Sequence, residues 1–514
     1  MREHWLLPDS PYRSYDAYLD AVGSRAVEVA RGRPAAQLLE EIKKSGLRGR
    51  GGAGFPTGTK WATLANHPCR IRDAVVNAAE GEPGTFKDRW LLRYNPYAVL
   101  EGLLIAAHVI GARGLYVGVK ASSTTEIARL TKAIGELAAA GVLAGSEIRV
   151  VPGPEEYLFG EEKALLEVIE GNEPLPREPH YPPYEKGLFA TPFSPNPALV
   201  NNAETFAHIP SIVARGGESF RRLGTANTSG TCLYTISGDV LRPGVYEREA
   251  GVTLRELVHD AAGGPREGRQ VKAILSGVAA PVITPSRLDT PADFASMEMA
   301  GSALGSAGFI VFDDSRSMPR LAQAVARFLY VESCNQCTAC KHGLRTASEA
   351  LDGIFGAPTS RADDYLRALY GARSAPQANR CYLPVEGAAL IPSLLETFEQ
   401  EFGTPHGHLA SSSEPILIAQ ICDFDAERGV FLVDQRQARK QPDWSYAEEP
   451  RPSAIRVVST PRDVDRAPVV VRLSSDLVPL LSERARSAGR TLDVLVNDAM
   501  REWLEQAAER GDRD

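Results

Sequence analysis

Residues 333 to 343 read Ser-Cys-Asn-Gln-Cys-Thr-Ala-Cys-Lys-His-Gly, which spaces Cys334, Cys337 and Cys340 three residues apart. A strand would point successive members of this set to opposite faces, and a regular helix would spread them around roughly 300° of its circumference. Packing in a core does not explain such a triplet. We therefore predict a loop that runs into a helix, with the three thiolates converging on a metal centre.

A fourth thiol follows the triplet. Cys381 comes after a mostly helical stretch and can return to the same place, and a cubane [4Fe-4S] cluster needs four thiolate ligands. Structural zinc is an alternative, although zinc sites usually show two paired Cys/His clusters, and a chain without metal is a third. The other cysteines are predicted to be packed thiols, and their sparseness favours a reducing compartment. They are Cys69, Cys232 and Cys422.

The composition is that of an ordinary soluble protein. The chain has 514 residues, of which 43% are hydrophobic and 24% charged, and this length allows three or more domains. A net charge of -8 argues against broad nucleic-acid binding by the whole molecule. The most apolar run, residues 98–112, is too short to span a bilayer. The N-terminus lacks a signal core, so we expect a cytoplasmic protein that can dock onto a membrane complex through partners.

A glycine-rich segment follows helices predicted over residues 14–30 and 34–45. Residues 46–61, Gly-Leu-Arg-Gly-Arg-Gly-Gly-Ala-Gly-Phe-Pro-Thr-Gly-Thr-Lys-Trp, contain six glycines and three cationic residues. Glycines bring bare N–H groups close to a ligand and the cations add charge, so the segment predicts a cradle for a phosphate and a ring. No apolar strand precedes it, which excludes a Rossmann fingerprint, and it is not a Walker loop. A flexible linker is the alternative, against which Phe55 and Trp61 count.

An acidic loop comes next. A predicted strand over residues 74–77 leads into residues 78–89, which contain Glu80 and Glu82 beside a Pro-Gly turn. A β-α-β unit follows, with a strand at 115–120, a helix at 124–140 and a strand at 148–152. Such a unit predicts a partly parallel sheet with helices on its faces.

Two later helix starts carry polar pairs. Glu161 and Glu162 stand in the first turn of one helix, and Asn201 and Asn202 stand at the start of another. Carboxylates there also complement the helix dipole, and amides are common caps. Capping and ligand recognition therefore remain alternatives for both pairs.

Past about residue 228 the pattern changes again. Short strands at 232–236, 244–246 and 271–274 with a helix at 253–262 predict a small β-grasp-like module. Residues 320–332 and 340–402 are predicted to be helical and to carry the cysteines.

Several segments together resemble one protein family. They are residues 45–60, 80–89, 160–165 and 201–205 and the set Cys334, Cys337, Cys340 and Cys381. These segments are similar to the FMN-bearing, NADH-oxidising subunit of respiratory complex I, which is the F subunit of NADH-quinone oxidoreductase, and to the diaphorase subunits of NAD-linked hydrogenases and formate dehydrogenases. The resemblance covers about residues 34–435 in one collinear order. It implies that the chain binds FMN, NAD(H) and a [4Fe-4S] cluster.

The resemblance also implies a multidomain α/β fold. The expected parts are a Rossmann-like FMN/NADH domain over residues 1–227, a β-grasp (SLBB, ubiquitin-like) domain over 228–319, a helical-bundle iron–sulfur domain over 320–440, a linker over 441–468 and a ribbon-helix-helix-like module over 469–510.

Matched positions imply roles for individual residues. Four acids would lie around the nicotinamide and the flavin as binding and tuning groups, namely Glu80, Glu82, Glu161 and Glu162. The cofactor-binding set would be Gly49, Arg50, Gly51, Gly52, Ala53, Gly54, Phe55, Gly58, Lys60, Asn77, Tyr157, Gly160, Tyr181, Asn201, Asn202 and Thr205. Tyr181 would stack on the adenine. The four cysteines would ligate the cluster.

The implied reaction is that of a flavin-dependent NADH dehydrogenase subunit. Hydride would pass from NADH to FMN, and single electrons would pass through the cluster to a partner redox subunit, which we expect to carry a thioredoxin-like [2Fe-2S] domain. The chain departs from the family where Ala79 replaces an aspartate, Lys163 a small threonine and Lys120 an arginine. From Ala79 we expect weaker FMN retention. A redox- or nucleotide-sensing regulator and a cluster-bearing scaffold without flavin chemistry are the alternatives.

The C-terminal part lies outside this resemblance. Residues 441–468 carry five prolines among charges, which is typical of a linker. A strand over residues 469–473, a helix over 475–488 and a second helix from 491 resemble a ribbon-helix-helix module. We expect homodimerisation or partner docking through this module, and DNA binding or a simple helical appendage are alternatives.

Overall fold

A parallel sheet of four strands forms the centre of the N-terminal half. Its strands are β1 (Asp73–Ala78), β2 (Gly114–Lys120), β3 (Ile148–Gly153) and β4 (Ala198–Asn202), in the order β3-β2-β1-β4. All neighbours pair in parallel. β1 and β2 are buried along nearly their whole length, as expected for a parallel sheet covered by helices on both faces. The predicted strands and the Rossmann-like α/β class are confirmed.

The computed structural model describes residues 5–356, 360–403, 409, 416–447, 455–456, 470–471 and 487. The chain divides into two units, residues 1–445 and residues 446–514. The helices of the N-terminal half are α1 (Tyr15–Val22), α2 (Ala26–Arg31), α3 (Ala35–Ser45), α4 (Thr57–Ala65), α5 (Lys87–Tyr94), α6 (Pro96–Ile110), α7 (Thr124–Ala139), α8 (Glu162–Ile169), α9 (Ala203–Arg215) and α10 (Gly217–Arg221). A 3-10 turn, Tyr157–Gly160, precedes α8.

The single helix predicted over residues 14–30 is wrong, because two helices occupy this stretch. Gly23 has a φ of 67°, a left-handed conformation that ends α1, and its N–H bonds to the carbonyl of Leu19. Glycine adopts this conformation without the steric penalty of a Cβ. The chain then restarts as α2 at Ala26.

Helices α6 and α9 cross closely under the sheet. α6 is buried on almost all sides, and a Cβ at Gly102 would overlap the carbonyl oxygen of Phe206 in α9. The missing side chain lets the two backbones touch. This packing holds α9, and with it the end of β4, against the core.

A second sheet of four strands follows. Its strands are β5 (Thr231–Gly238), β6 (Gly244–Glu249), β7 (Val271–Ser276) and β8 (Gly308–Asp313), in the order β6-β5-β8-β7. β5 and β8 are parallel and the other neighbours antiparallel. A π-helix, Glu256–Ala261, lies in the stretch predicted as a helix, and a 3-10 turn, Pro285–Arg287, and α11 (Phe294–Met299) lie between β7 and β8. This is the predicted β-grasp-like arrangement.

The helical region consists of α12 (Met318–Glu332), α13 (Thr338–Gly353), α14 (Arg361–Ser374) and α15 (Leu383–Thr397), and a 3-10 turn, Glu399–Glu401, follows. Their apolar faces form one core with Met318, Leu344 and Leu390 among its members. Among the described residues, no helix combines the length and the apolarity that crossing a membrane requires.

Residues 416–445 fold back over both the N-terminal half and the helical region of the first unit. They form a hairpin of β9 (Ile421–Asp425) and β10 (Val430–Val433) and a 3-10 turn, Gln435–Arg439. Arg89 Nη1 donates to the Cys422 carbonyl at 2.6 Å. Lys440 Nζ lies 2.8 Å from Glu332 Oε2, and both side chains are buried. We call residues 416–445 the return segment.

The second unit is described at a few positions. β11 (Ile455–Arg456) pairs antiparallel with β12 (Val470–Val471). The strand predicted over 469–473 thus contains β12, and the predicted linker over 441–468 contains β11. Only a short connection separates β11 from β12, so their pairing within one chain costs little loop-closure entropy. The predicted helices over 475–488 and from 491 lie outside the described residues except for Ser487, which is helical. The predicted domain boundaries remain a prediction.

Candidate functional site

A cavity of about 880 Å³ lies at the carboxyl ends of β1 and β4. From β1 the sheet continues to β2 and β3 on one side and to β4 on the other, and α/β sheets bind ligands where the strand order reverses. Most of the predicted residues line this cavity. They are Gly49, Gly51, Gly52, Ala53, Gly54, Phe55, Lys60, Asn77, Glu80, Glu82, Tyr157, Gly160, Glu161, Glu162, Asn201, Asn202 and Thr205.

The glycine-rich loop between α3 and α4 forms one wall. Gly54 has a φ of 61°, and a Cβ there would lie 2.6 Å from the Phe294 ring. A Cβ on Gly51 would lie 3.2 Å from the Cβ of Asn202. Arg48 secures the loop, because its Nε donates to the Gly54 carbonyl at 2.6 Å. Bare backbone therefore lines this wall, as a closely bound ring or phosphate requires.

Two buried polar atoms on the cavity wall lack a hydrogen-bond partner within the described part of the chain. They are Asn201 Oδ1 and Thr57 Oγ1. Such groups are costly unless a ligand or water satisfies them. Lys60 Nζ brings a cation to the same cavity, 2.9 Å from both Glu162 Oε2 and the Val200 carbonyl. These groups fit a ligand that carries ring donors and acceptors and a phosphate, as FMN does.

Two of the predicted acids are held by backbone amides. Glu80 accepts from the N–H groups of Asp88 at 3.0 Å and Arg89 at 3.3 Å. Glu161 caps α8 by accepting from the N–H groups of Lys163 and Ala164, both at 2.9 Å. Burial raises the pKa of each carboxyl to about 7. The sequence left helix capping and ligand recognition as alternatives for Glu161. Glu161 caps α8 and also lines the cavity, so its position is compatible with both.

A third acid forms a pair that the sequence did not indicate. The Tyr157 hydroxyl donates to Glu82 Oε2 at 2.6 Å and lies 3.1 Å from Glu386 Oε2. Burial raises the pKa of Glu82, and burial followed by the charge of Glu82 raises the pKa of Glu386 well above its usual value. A phenol has one hydrogen to donate. A protonated Glu386 can therefore donate to the phenol oxygen, which gives a chain from Glu386 through Tyr157 to Glu82.

A cluster of buried charged residues lies next to the cavity-lining residues Asp88 and Asn202. Lys87 Nζ lies 2.9 Å from Asp88 Oδ1 and 2.8 Å from Glu204 Oε2. Asn202 Nδ2 donates to Asp88 Oδ2 at 2.6 Å. Burial alone would raise the pKa of Glu204, but Lys87 and neighbouring cations outweigh it and hold that pKa at about 2. An ionised Glu204 thus fixes Lys87 and, through Asp88, orients the Asn202 amide.

Three predicted cofactor-binding residues are not among those that line the cavity. Arg50 turns its guanidinium into the protein, where Nη2 donates to the Ser229 carbonyl at 2.7 Å. Gly58 packs against Lys43 of α3. Tyr181 lies in the proline-rich connection, and 48% of its surface is exposed. Backbone carbonyls and the Glu204 carboxylate, 3.8 Å from Arg50 Nε, thus hold the Arg50 guanidinium inside the protein.

The four cysteines of the predicted centre lie at one end of the helical region. Cys334 and Cys337 stand between α12 and α13, Cys340 in the first turn of α13 and Cys381 before α15. All four pack against the same apolar core. Asn335 has a φ of 60° and turns the loop sharply. The predicted loop that runs into a helix is confirmed, while Cys422, predicted to be packed, is exposed.

Each of the four sulfurs has a hydrogen-bonding neighbour. The pairs are Gln336 Nε2 with Cys334 (3.5 Å), Arg380 N with Cys337 (3.4 Å), Ser333 Oγ with Cys340 (3.3 Å) and Leu383 N with Cys381. Among the described residues, no three His, Cys, Asp or Glu side chains converge to hold one metal ion. A cubane cluster instead binds each thiolate at a different iron. Hydrogen bonds to sulfur and a partly buried setting fit such a cluster.

Comparison with known proteins identifies the family. Residues 42–211 match the Nuo51 FMN-binding domain, and residues 320–404 match the NADH-ubiquinone oxidoreductase-F iron-sulfur binding region. The F 2 subunit of NADH-quinone oxidoreductase in Rhizobium meliloti (strain 1021) is 43% identical over 333 residues, which are 63% of this chain and 78% of the relative. The chain belongs to the family of NADH-quinone oxidoreductase F subunits. The resemblance seen in the sequence is thereby confirmed.

Other NADH-quinone oxidoreductase F subunits are similar along much of the chain. That of Mycobacterium tuberculosis (strain ATCC 25618 / H37Rv) is 38% identical over 358 residues, 66% of this chain and 78% of the relative. That of Aquifex aeolicus (strain VF5) is 35% identical over 402 residues, 76% of this chain and 90% of the relative. A chain of the NAD+-reducing [NiFe]-hydrogenase in the H2-reduced state superposes with a TM-score of 0.67 at 30% identity, covering 79% of this chain and 74% of that chain.

As a member of the F-subunit family, the chain is a flavin-dependent NADH dehydrogenase subunit with an FMN-binding domain and an iron–sulfur binding region. Both regions contain the motifs singled out in the sequence. Several further residues that line the cavity had no recognisable pattern in the sequence, because they come from the connection between β7 and β8 and from the start of α15, far along the chain. They are Phe294, Glu298, Ser302, Ser306, Tyr382 and Glu386.

Proposed function

We propose that the cavity binds FMN and the nicotinamide of NADH, that Cys334, Cys337, Cys340 and Cys381 hold a [4Fe-4S] cluster, and that a partner redox subunit receives the electrons. When bound, FMN supplies a ring that takes two electrons as hydride and releases them singly. The observation that carries this proposal is that Cys381 lines the same cavity as the glycine-rich loop. The nucleotide site and the cluster site share a wall.

The glycine-rich loop and the end of β4 are the groups that would bind the flavin nucleotide. Residues 51–54 offer close backbone approach, Asn201 offers an unsatisfied buried oxygen, and Lys60 offers a cation for the phosphate. Phe55 lines the cavity and is 49% exposed, so it can cover an adenine ring. Phe55 therefore replaces Tyr181 as our candidate for that role.

The cavity acids would orient the nicotinamide and keep protons in place. Glu80 and Glu161, with pKa values raised to about 7 by burial, are partly neutral at physiological pH and add little net negative charge beside an anionic cofactor. Glu82 is fixed by the Val278 N–H, which donates to its Oε1 at 2.6 Å, and by Tyr157. These side chains position ligands and exclude water, and the reaction needs no nucleophile from the protein.

The four thiols would carry electrons away from the nucleotide site. Burial raises the pKa of Cys340 to about 12, so the positive charge of bound iron is needed to keep this sulfur as a thiolate. The partial exposure of Cys334 and Cys337 supports electron transfer from this end of the helical region to an outside acceptor. A partner with a thioredoxin-like [2Fe-2S] domain suits this role.

Anaerobic purification with quantified flavin and iron tests the proposal. The intact chain should contain about one FMN and four irons, and NADH should bleach both the flavin and the cluster absorption. Cys381→Ser should keep flavin bleaching and lose the cluster bands. Cys69→Ser, which changes a thiol outside the helical region, is the matched control and should match the intact chain. A chain that binds iron but no flavin would identify it as a scaffold and overturn the proposal.

Flavin measured before and after extensive dialysis tests the expectation from Ala79. Ala79 lines the cavity and its N–H donates to Asn77 Oδ1 at 3.2 Å. A methyl group there offers the flavin no polar contact, so we propose that FMN is retained weakly. A stoichiometry that stays near one after dialysis would contradict this.

We further propose that the protein works in the cytoplasm, alone or peripheral to a membrane complex. None of the seven cysteines forms a disulfide, which fits a reducing compartment. For the C-terminal unit we propose homodimerisation or partner docking through residues 469–510. Sedimentation of the full chain and of a chain ending at residue 445 tests this, and the same number of chains per particle in both would count against it.

A further inference from the structure

Lys163 stands where the nucleotide-binding half touches the cluster loop. It lies in the first turn of α8 and is 9% exposed. Its Nζ donates to the Arg380 carbonyl and lies 3.7 Å from Glu161 Oε1. The turn that presents Glu161 to the cavity therefore presents a buried cation to the loop that carries Cys381.

Arg380 connects two of the proposed cluster ligands. Its N–H donates to Cys337 Sγ at 3.4 Å, and it directly precedes Cys381 in the chain. Its carbonyl is the group that Lys163 holds. The Lys163 ammonium is thus bound to a residue that contacts Cys337 through its amide and Cys381 through its peptide bond.

Arg380 also makes an ion pair at the protein surface, with Glu178. Arg380 Nη2 pairs with Glu178 Oε1 at 2.6 Å, but these side chains are 31% and 56% exposed. Water and salt screen such a surface pair. A buried charge such as that of Lys163 acts through a medium of lower dielectric constant and is screened far less.

We propose that the buried ammonium of Lys163 raises the reduction potential of the cluster. This inference rests on the proposed function, because it requires the cluster on the four cysteines. On reduction the cluster takes up one electron and becomes more negative by one charge. A fixed positive charge beside its ligand loop stabilises that state, since cluster potentials depend on local charge, hydrogen bonds to sulfur and exposure. Lys163 is in this sense a positioning and tuning residue of the nucleotide half that acts on the cluster.

An anaerobic redox titration of the full chain, followed by the electron paramagnetic resonance signal of the reduced cluster, tests the inference. Lys163→Met removes both the charge and the donor, whereas Lys163→Gln removes the charge and keeps an N–H donor for the Arg380 carbonyl. Both variants should shift the reduction equilibrium toward the oxidised cluster by about tenfold, or about 59 mV for a one-electron couple. Glu178→Gln, the matched control on the exposed side of Arg380, should titrate like the intact chain.

The outcomes separate the inference from the proposed function. A signal absent from the intact chain would refute the cluster itself. A normal signal whose midpoint is unchanged in both Lys163 variants would overturn the inference alone. It would also be overturned if Lys163→Gln behaved like the intact chain while Lys163→Met did not, because the hydrogen bond would then matter and the charge would not. Loss of the cluster from both variants, shown by iron content, would assign Lys163 to holding the loop and would likewise overturn it.

Discussion

Glu82 and Glu386 come from distant parts of the chain and approach the same atom, the hydroxyl oxygen of Tyr157, at 2.6 Å and 3.1 Å. Glu82 follows β1, whereas Glu386 lies in the first turn of α15, which begins beside Cys381. Both acids line the cavity. The pair thus connects the segment after β1 with the helix that begins beside Cys381.

Replacing Glu386 distinguishes a protonated acid from an ionised one. Burial, and then the charge of Glu82, raise the pKa of Glu386, so the neutral donor of Glu386→Gln should replace it with KM for NADH changed less than about twofold. Glu386→Ala leaves Tyr157 without this neighbour and should cost roughly tenfold in kcat/KM, about 1.4 kcal/mol. Steady-state assays from pH 6 to 9 measure both. Equal losses in the two variants would show that Glu386 acts as an anion.

Adding a methyl group to Gly54 should weaken flavin binding. Its φ of 61° and the Phe294 ring 2.6 Å from a built Cβ make Gly54→Ala strained by about 1 to 3 kcal/mol, which predicts an FMN affinity lower by about tenfold or more. Equilibrium dialysis with FMN measures this. Gly135→Ala, in α7 with open space around it, is the matched control and should bind FMN normally. If both variants bind alike, the loop is not part of the flavin site.

Removing the charge of Lys440 should destabilise the first unit. Lys440 and Glu332 are both buried and lie 2.8 Å apart, so Lys440→Met leaves an uncompensated carboxylate and should cost about 3 kcal/mol in the free energy of unfolding. Urea unfolding measures it. The double variant that also carries Glu332→Gln should recover part of the lost stability. It removes the uncompensated carboxylate, and its side-chain amide oxygen can still accept from the Tyr157 N–H.

An exposed pair provides the control for Lys440. Arg345 and Glu349 lie 2.7 Å apart with more than half of each side chain exposed. Arg345→Ala should therefore cost less than about 1 kcal/mol. A similar cost for both pairs would mean that burial does not govern the strength of the Lys440 contact.

A buried acid away from the cavity should make stability depend on pH. Glu101 is fully buried and accepts from the hydroxyls of Tyr15 at 2.7 Å and Tyr18 at 3.0 Å, and burial raises its pKa to about 7. The folded state thus binds this proton more tightly than the unfolded state. Its contribution to stability is complete below about pH 4.5 and is lost as the pH rises through about 7.

Glu101→Gln tests this dependence. The free energy of unfolding of the intact chain should fall by about 2 kcal/mol more than that of Glu101→Gln between pH 5 and pH 8. Glu218→Gln, at an exposed position, should retain the slope of the intact chain. Identical slopes for all three proteins would place the ionisation of Glu101 outside this range.

Local patterns predicted most of the fold. The strands β1, β2 and β3 and helix α7 follow from apolar runs and helical periodicity, which depend on neighbouring residues alone. The break at Gly23 was missed because a glycine inside a helical pattern ends the helix only when the surrounding packing favours it. The exposure of Cys422 was missed because it depends on how the return segment packs on the rest of the first unit, which the local sequence does not show.

The site was predictable where the topology of a parallel sheet brings motifs together. Glu80 follows β1 and Asn201 ends β4, and the carboxyl ends of adjacent parallel strands meet. Glu386 was not predictable, since only tertiary folding brings α15 to the cavity. The direction of the Arg50 side chain was not predictable either, because a cation in a glycine-rich loop has the same sequence signature whether it faces a phosphate or, as here, carbonyls and a carboxylate of its own chain.

The return segment has a consequence for how the protein is made. Arg89 bonds to Cys422, 333 residues later, and the Glu332 carboxylate that accepts from the Tyr157 N–H is neutralised by Lys440. A ribosome must therefore release nearly the whole first unit before these bonds can form, and long-range closures of this kind come last in folding. The contacts that the return segment makes with Arg89 and Glu332 therefore form only after nearly all of the first unit has been translated.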